Sequence, residues 1–362
     1  MTLQSDVRFM TLALSLGRRG IGRVWPNPAV GCVIVSSGQI VGRGWTADGG
    51  RPHAETRALA QAGSAAKGAT VYVTLEPCAH HGQTPACAQA LIDAGVARVV
   101  VATGDPDRRV AGRGIGMLRN AGISVDLGLC DTEARRDHAG FLSRVTNNRP
   151  FVTLKMAGTL DGRIATASGE SQWITGPDAR RDVHMMRARH DAVMVGAGTV
   201  RADDPSLTVR GLGITRQPVR VVVSKALNIP AQCQLAQTAS EVPVWLCHGK
   251  GADVGAWTAL GAVSLPCATD AGQVDLRAAL ATLAEHGITR VFCEGGGSLA
   301  AALLNAGVVD QLVVYTAGAA IGAEGTPMLA AMGIERLQDA PRFVQASIRS
   351  VGSDIRHIWT RV

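Results

Sequence analysis

Three side chains that have to meet at one point limit how this chain can fold. His53 lies 25 residues before Cys78, and Cys87 follows nine residues later. One imidazole and two thiolates make three ligands for a tetrahedral zinc ion (Zn²⁺), with the fourth position left for water. To share an ion their donor atoms must come within about 4 Å of one another, so the chain has to return twice to one spot. Glu55, two residues after the histidine, reaches that water without ligating the metal. The ion would lower the pKa of the water, hydroxide would attack an amidine-like carbon, and the carboxylate would carry protons. A plainer reading stays open: two buried thiols and an N-capping or surface histidine. His80 and His81 lie between the cysteines and are either substitute ligands or residues that shape the loop and meet substrate.

The pattern around these residues places them on regular elements. Residues 53–62 read as a helix with His53 and Glu55 in its first turn, 71–75 as a strand, and Pro77-Cys78 as the start of the metal loop. Residues 85–94 read as the next helix, with Cys87 in its first turn. Both halves of the site therefore sit at helix amino termini, whose positive dipole ends favour thiolate and hydroxide. Upstream come a helix over 6–17, the rigid turn Pro26-Asn27-Pro28, and strands over 30–35 and 40–45 joined at Ser36-Ser37-Gly38. Asn27, held between two prolines, is either a turn residue or a hydrogen-bonding group for a substrate beside the metal. Downstream, strands over 98–102 and 123–127 alternate with helices over 116–122 and 132–144. That alternation implies a parallel or mixed three-layer α/β domain. The polar stretch Thr146-Asn147-Asn148-Arg149-Pro150 marks its end, which divides the chain into a first domain over 1–146 and a second over 151–362.

The second half has strands over 151–156, 191–195, 219–224, 242–246, 290–293 and 311–315, with a helix over 177–190 that Thr175 is expected to cap. Two glycine-rich turns follow strands: Gly196-Ala197-Gly198-Thr199, and Glu294-Gly295-Gly296-Gly297-Ser298 ahead of a helix over 299–306. Glycines there let backbone N–H groups approach a phosphate at a helix start. Each turn alone is also explained by tight strand-to-helix geometry. Two in one domain, with Arg187, Arg201 and Arg210 nearby, favour a nucleotide or phosphate site.

The formal charge of +7 invites a nucleic-acid partner, but the details argue against one. Four lysines occur (Lys67, Lys155, Lys225, Lys250), the arginines are scattered, and aromatics make up 4% of the chain. That is too few for base-stacking platforms. A basic balance also suits phosphorylated small substrates. The longest apolar stretch, 299–315, is broken by Asn305, Asp310 and Gln311, and falls short of a membrane span. The amino terminus carries Asp6 and Arg8 without a leader pattern, and the eight cysteines lack framework spacing. A cytoplasmic enzyme with reduced thiols is expected.

The general signature of zinc deaminases is His-x-Glu followed by Pro-Cys-x-x-Cys. Here eight residues separate Cys78 from Cys87, a departure from that signature. The first half resembles the cytidine deaminase superfamily. The whole chain resembles the bifunctional riboflavin-biosynthesis deaminase–reductase family of bacteria, in which the long cysteine gap is the rule. The resemblance rests on Pro26-Asn27-Pro28-Ala29-Val30-Gly31, His53-Ala54-Glu55, the stretch from Thr74 to Cys87, Leu160-Asp161-Gly162-Arg163, Ser168-Gly169-Glu170-Ser171-Gln172-Trp173-Ile174, Ala202-Asp203-Asp204-Pro205 and Glu294-Gly295-Gly296, all in family order.

It implies a cytidine deaminase-like three-layer α/β/α domain followed by a dihydrofolate reductase-like α/β domain. The first would deaminate 2,5-diamino-6-ribosylamino-4(3H)-pyrimidinone 5′-phosphate, with His53, Cys78 and Cys87 on zinc and Glu55 as proton shuttle. The second would reduce the ribosyl group to ribityl with NADPH. By resemblance, Ala157, Trp173, Thr199, Asp203, Gly296, Gly297, Ser298, Leu299, Ala300, Ala301 and Ala302 meet NADPH. Ser171, Arg187, Leu207, Arg210 and Glu294 match substrate contacts, and Lys155 and Glu294 are candidates for the reductase chemistry. Lys155 also fits a structural pair, and each arginine fits a surface pair with an acid such as Asp182 or Asp203. A homo-oligomer without nucleic-acid or membrane partners is expected. Two departures stand out: Ala86 where the family has proline, and Asp105-Pro106-Asp107-Arg108-Arg109 in place of Asp-Pro-Asn-Pro.

Overall fold

The computed structural model of the chain describes residues 2–79, 86–107 and 110–362. His80, His81, Thr84, Pro85, Arg108 and Arg109 lie outside the described residues, and with them the alternative ligands and part of the divergent loop. The chain divides into two compact units, Met1–Asn148 and Arg149–Val362.

In the first unit, helix α1 (Leu3–Gly17) precedes the hairpin β1 (Gly31–Ser36) and β2 (Gln39–Trp45). Then follow α2 (Ala54–Ala62), β3 (Thr70–Val73), α3 (Cys87–Asp93), β4 (Arg98–Val101), α4 (Arg113–Asn120) and β5 (Ser124–Leu127). The sheet order is β2-β1-β3-β4-β5, with β1 antiparallel to both neighbours and β3, β4 and β5 parallel. Two buried apolar clusters lie on its two faces. Val71, Val73, Val99 and Val101 pack with α2 and α3 residues, while Tyr72, Val100, Val33 and Val35 pack with α1. Period-two alternation along β3 sends neighbours to opposite faces, which makes three layers. The helix expected over 132–144 is two: α5 (Asp131–Asp137) and α6 (Ala139–Asn147) meet at His138, whose Nε2 lies 3.1 Å from the Thr74 hydroxyl. A buried histidine tied to the sheet fixes the break.

The second unit opens with β6 (Phe151–Thr159), the short β7 (Arg163–Ala165), α7 (Pro177–Ala188), β8 (Ala192–Gly196), α8 (Ala197–Asp203) and β9 (Val219–Ser224). It continues through α9 (Gln234–Gln237), β10 (Val244–Gly249), α10 (Gly255–Ala259), β11 (Val263–Cys267) and the ribbon β12 (Thr269–Asp270) and β13 (Gln273–Val274). Then come α11 (Leu276–Glu285), β14 (Arg290–Cys293), α12 (Gly297–Asn305), β15 (Gln311–Ala317), β16 (Thr326–Pro327), β17 (Phe343–Val351) and β18 (Asp354–Arg361). The main sheet runs β11-β10-β9-β8-β14-β6-β15-β18-β17, parallel from β11 to β15 and antiparallel at β18 and β17. Parallel strands end on one edge, where ligands bind in such sheets.

Two expectations are corrected here. Gly176, not Thr175, is the N-cap of α7, and its N–H donates to Asp354 Oδ2 at 2.7 Å. The β17–β18 hairpin lies beyond the last strand expected from the sequence.

Candidate active sites

In the first unit the three candidate ligands converge. His53 Nδ1 lies 3.3 Å from Cys87 Sγ and 3.8 Å from Cys78 Sγ, and all three donor atoms fall within 4.8 Å of one another. Tetrahedral zinc with bonds of about 2.0 and 2.3 Å sets its ligands about 3.5–3.8 Å apart, so the donor set fits that ion.

Local structure explains the convergence. His53 is the N-cap of α2, and α2 lies directly on β2 because Gly42 and Gly44 carry no side chain. A Cβ on Gly44 would stand 2.1 Å from the Ala54 carbonyl, and one on Gly42 2.2 Å from that of Ala58. Cys87 opens α3, and its N–H donates to Cys78 Sγ at 3.3 Å. The two thiols are opposed. Hydrogen bonding to Cys87 brings Cys78 down to about 4, while the same contact pushes Cys87 up. Glu55, in the first turn of α2, is 4% exposed, and burial raises its carboxyl to about 7. A carboxyl balanced near neutrality both accepts and returns a proton. Asn27 packs its side chain against Gly50, three residues before His53, where a Cβ would meet the Asn27 amide at 1.9 Å.

Sequence reasoning missed Glu76. Its buried carboxylate accepts N–H bonds from Asp105 (3.4 Å), Gly112 (3.1 Å), Gly114 (3.0 Å) and Ile115 (3.2 Å). It therefore pins the loop before α4 to the strand end that carries Cys78. A glutamate set directly between the strand over 71–75 and Pro77-Cys78 was the available signal.

In the second unit a cavity of about 880 Å³ opens at the carboxyl edge of the sheet. Lys155 on β6 and Glu294 after β14 line it from adjacent parallel strands. Arg187 on α7 grips Glu294 with two bonds, Nε to Oε1 at 2.5 Å and Nη2 to Oε2 at 3.0 Å, and also donates to the Thr208 carbonyl at 2.9 Å. Burial alone would raise the Glu294 carboxyl, but Arg187 outweighs it and the net shift is downward. Burial lowers the Lys155 ammonium, opposed in part by Glu294.

Of the residues matched to cofactor, Ala157, Thr199, Asp203, Leu299 and Ala302 line the cavity, as do Gly296, Gly297 and Ser298. The Gly296 N–H donates to Thr199 Oγ1 at 3.1 Å, which joins the two glycine turns. Ala300 and Ala301 face the core instead, at 1% and 4% exposure. Trp173 is 68% exposed, beneath the Arg180 guanidinium 4.5 Å from its ring centre. Of the residues matched to substrate, Ser171 and Glu294 line the cavity. Leu207 buries its side chain in the apolar core, which leaves its backbone for any ligand. Arg210 is exposed, bonded through Nη1 to Ser206 Oγ at 2.5 Å. Its N–H donates to His184 Nδ1 at 3.2 Å, so it lies next to the α7 turn that carries Arg187. Asp182 pairs with Arg356 and Arg349 and not with Arg187. Lys225 and Gln273 also line the cavity, and no motif in the sequence pointed to either.

Comparison with known proteins covers both units. Residues 3–103 match the family described as the cytidine and deoxycytidylate deaminase zinc-binding region, and residues 150–356 match the RibD C-terminal domain. The chain is 44% identical to the riboflavin biosynthesis protein RibD of Escherichia coli (strain K12), over 97% of this chain and 98% of that protein. It is 42% identical to the Bacillus amyloliquefaciens protein of the same name, over 96% and 94%. Among solved structures, Acinetobacter baumannii RibD superposes with a TM-score of 0.89 at 39% identity over 100% of both chains. The Thermotoga maritima diaminohydroxyphosphoribosylaminopyrimidine deaminase/5-amino-6-(5-phosphoribosylamino)uracil reductase superposes with a TM-score of 0.88 at 33% identity over 99% of each.

Proposed function

The chain belongs to the RibD family of bifunctional riboflavin-biosynthesis enzymes, and from that premise we propose which of its residues carry each reaction. It is a zinc-dependent deaminase joined to an NADPH-dependent reductase. The convergence of His53, Cys78 and Cys87 beside a buried Glu55 carries the assignment of the first site.

His53 Nδ1 and the two sulfurs would hold zinc, which when bound would supply a water acidic enough to attack at neutral pH. Glu55 is placed to move the proton: it would accept one from the attacking water and return it to the departing amino nitrogen, so that ammonia leaves and a carbonyl replaces the amine. Glu76 holds the 105–115 loop in place beside Cys78. Asn27, half-buried against the segment that leads into His53, orients the pyrimidine.

In the second unit the cavity takes NADPH, which supplies the hydride for the ribosyl carbon. Gly297 and Ser298, at the start of α12, turn backbone N–H groups to its phosphates, and Gly296, whose own N–H donates to Thr199, leaves room for their approach. Lys155 gives the balancing proton to the ring-opened imine nitrogen, and Glu294, kept ionised by Arg187, stabilises the iminium charge that develops. Arg210 and Ser171 bind the phosphate and ribose end of the substrate.

The substrates are phosphorylated pyrimidines; the reading excludes nucleic acid and includes a cytoplasmic homo-oligomer. Among the described residues no helix is long and apolar enough to cross a membrane. Incubating the protein with the diaminopyrimidine phosphate, with and without NADPH, tests the scheme. Ammonia release in both samples and NADPH oxidation in one is the expected result. NADPH-dependent ammonia release would overturn the two-site assignment.

A further inference from the structure

The cavity of the second unit has two chemically different ends, and the strand order fixes which is which. Lys155 and Glu294 sit at the ends of β6 and β14. The α12 start and Thr199 occupy the middle, above β14 and β8. Past β8 comes β9, which ends at Ser224 with Lys225 immediately after. Neighbouring strands lie about 4.8 Å apart, so Lys225 stands roughly 14 Å, three strands, from the end that holds Lys155. A dinucleotide whose reacting ring lies by Lys155 and Glu294, with its phosphates at Gly296–Ser298, extends its adenosine over β9.

We propose that Lys225 is the residue that selects NADPH over NADH, its ammonium meeting the 2′-phosphate on the adenosine ribose. The inference rests on the NADPH reading of this cavity and adds the residue that reads the extra phosphate. Lys155 and Lys225 are the cationic residues among those lining the cavity, and Lys155 belongs to the Glu294 end. Lys225 is exposed, and among the described residues no carboxylate forms an ion pair with it. Its backbone is held, because its carbonyl accepts the Gly249 N–H at 3.0 Å. Its ammonium lies over the turn of the β12–β13 ribbon, where a Cβ on Gly272 would be 3.8 Å from Nζ. Gln273 and Val274 of the ribbon and Leu276 of α11 complete that wall, an amide and two apolar side chains suited to adenosine. Of the two acids that line the cavity, Glu294 belongs to the Lys155 end and Asp203 closes α8. Asp275, beside the ribbon, is engaged as the cap of α11, accepting the Arg277 N–H at 2.9 Å.

The test uses the full chain and titration calorimetry with four probes: NADPH, NADH, adenosine 2′,5′-bisphosphate and AMP. The wild type should bind each 2′-phosphorylated member more tightly than its partner. Lys225→Ala should weaken NADPH and the bisphosphate by about 10- to 100-fold, the loss of one charge-assisted contact, while NADH and AMP change by about twofold or less. Lys225→Arg should retain most of the preference. Retained binding of NADH and AMP by the same samples reports that the second unit is folded. Equal losses for all four probes, or an unchanged ratio between the members of each pair, would overturn the role of Lys225 and leave the cofactor site standing. A wild-type chain that binds neither NADPH nor NADH would overturn the cofactor reading, and this inference with it.

Discussion

Replacing Arg187 with leucine removes both bonds to Glu294 and leaves a carboxylate in a poorly hydrated place. The two side chains are 12% and 10% exposed, so the solvent screening that makes surface pairs nearly worthless does not apply. Breaking such a pair by removing one partner costs about 3–5 kcal/mol. Lys155 beside Glu294 offsets part of the stranded charge, which favours the lower figure. For a unit spanning Arg149–Val362, each kcal/mol moves the thermal midpoint by about 2–4 °C, so Arg187→Leu should lower it by on the order of 10 °C. Scanning calorimetry of the full chain measures this, with the relevant transition identified by its upward shift on adding NADPH. Deaminase activity after mild heating serves as the control for the first unit. Adding Glu294→Gln to the leucine variant removes the stranded charge and should recover at least half of the lost stability. A shift below about 2 °C in the single variant, or a double variant no more stable than the single, would refute the reasoning.

Three further outcomes follow from the same geometry. Glu55→Gln should keep zinc and lose deamination by on the order of 10²-fold or more, measured by ammonia release alongside metal analysis. Reductase turnover should fall on the alkaline side at a pH below the ordinary lysine range. With the Lys155 ammonium as the proposed proton donor, burial lowers its pKa, and the donor would be lost as pH rises through that lowered value. The pH profile of kcat checks this, and Lys155→Met should remove the limb together with most of the activity. Gly296→Val should raise the NADPH KM or abolish reduction while deamination continues. A Cβ at 296 meets only Thr199 Oγ1 at 3.6 Å, so the added bulk stands in the cavity and not in the core.

What the sequence revealed and what it hid follow from distance along the chain. The convergence of the candidate metal ligands was legible because each sits at a strand-to-helix junction whose local pattern is strong, as with His53 at the start of α2 and Cys87 at the start of α3. The alternation of the first unit and the central strands β6, β8, β9, β10, β14 and β15 were legible for the same reason, whereas β11 (Val263–Cys267) and α11 (Leu276–Glu285) were not expected. The partner of Arg187 was not, since Glu294 lies 107 residues away and local acids such as Asp182 are the obvious guesses. Glu76 was hidden because the four amides it holds come from a loop 29 to 39 residues later. The β17–β18 hairpin escaped because β17 is exposed along most of its length and so carries little apolar alternation. Ala300 and Ala301 matched a cofactor segment as neighbours in sequence, but α12 turns them toward the core.

The central claim is that one chain holds two separable reaction sites, one built on His53, Cys78 and Cys87 and the other around Lys155 and Glu294. It is tested most directly by Cys87→Ala, assayed for zinc content, for deamination, and for NADPH-dependent reduction of supplied deaminated intermediate. Loss of stoichiometric zinc and of deamination, with reduction preserved, is the expected outcome. Full zinc in the variant, or loss of both activities in a protein whose second unit still binds NADPH, would contradict it.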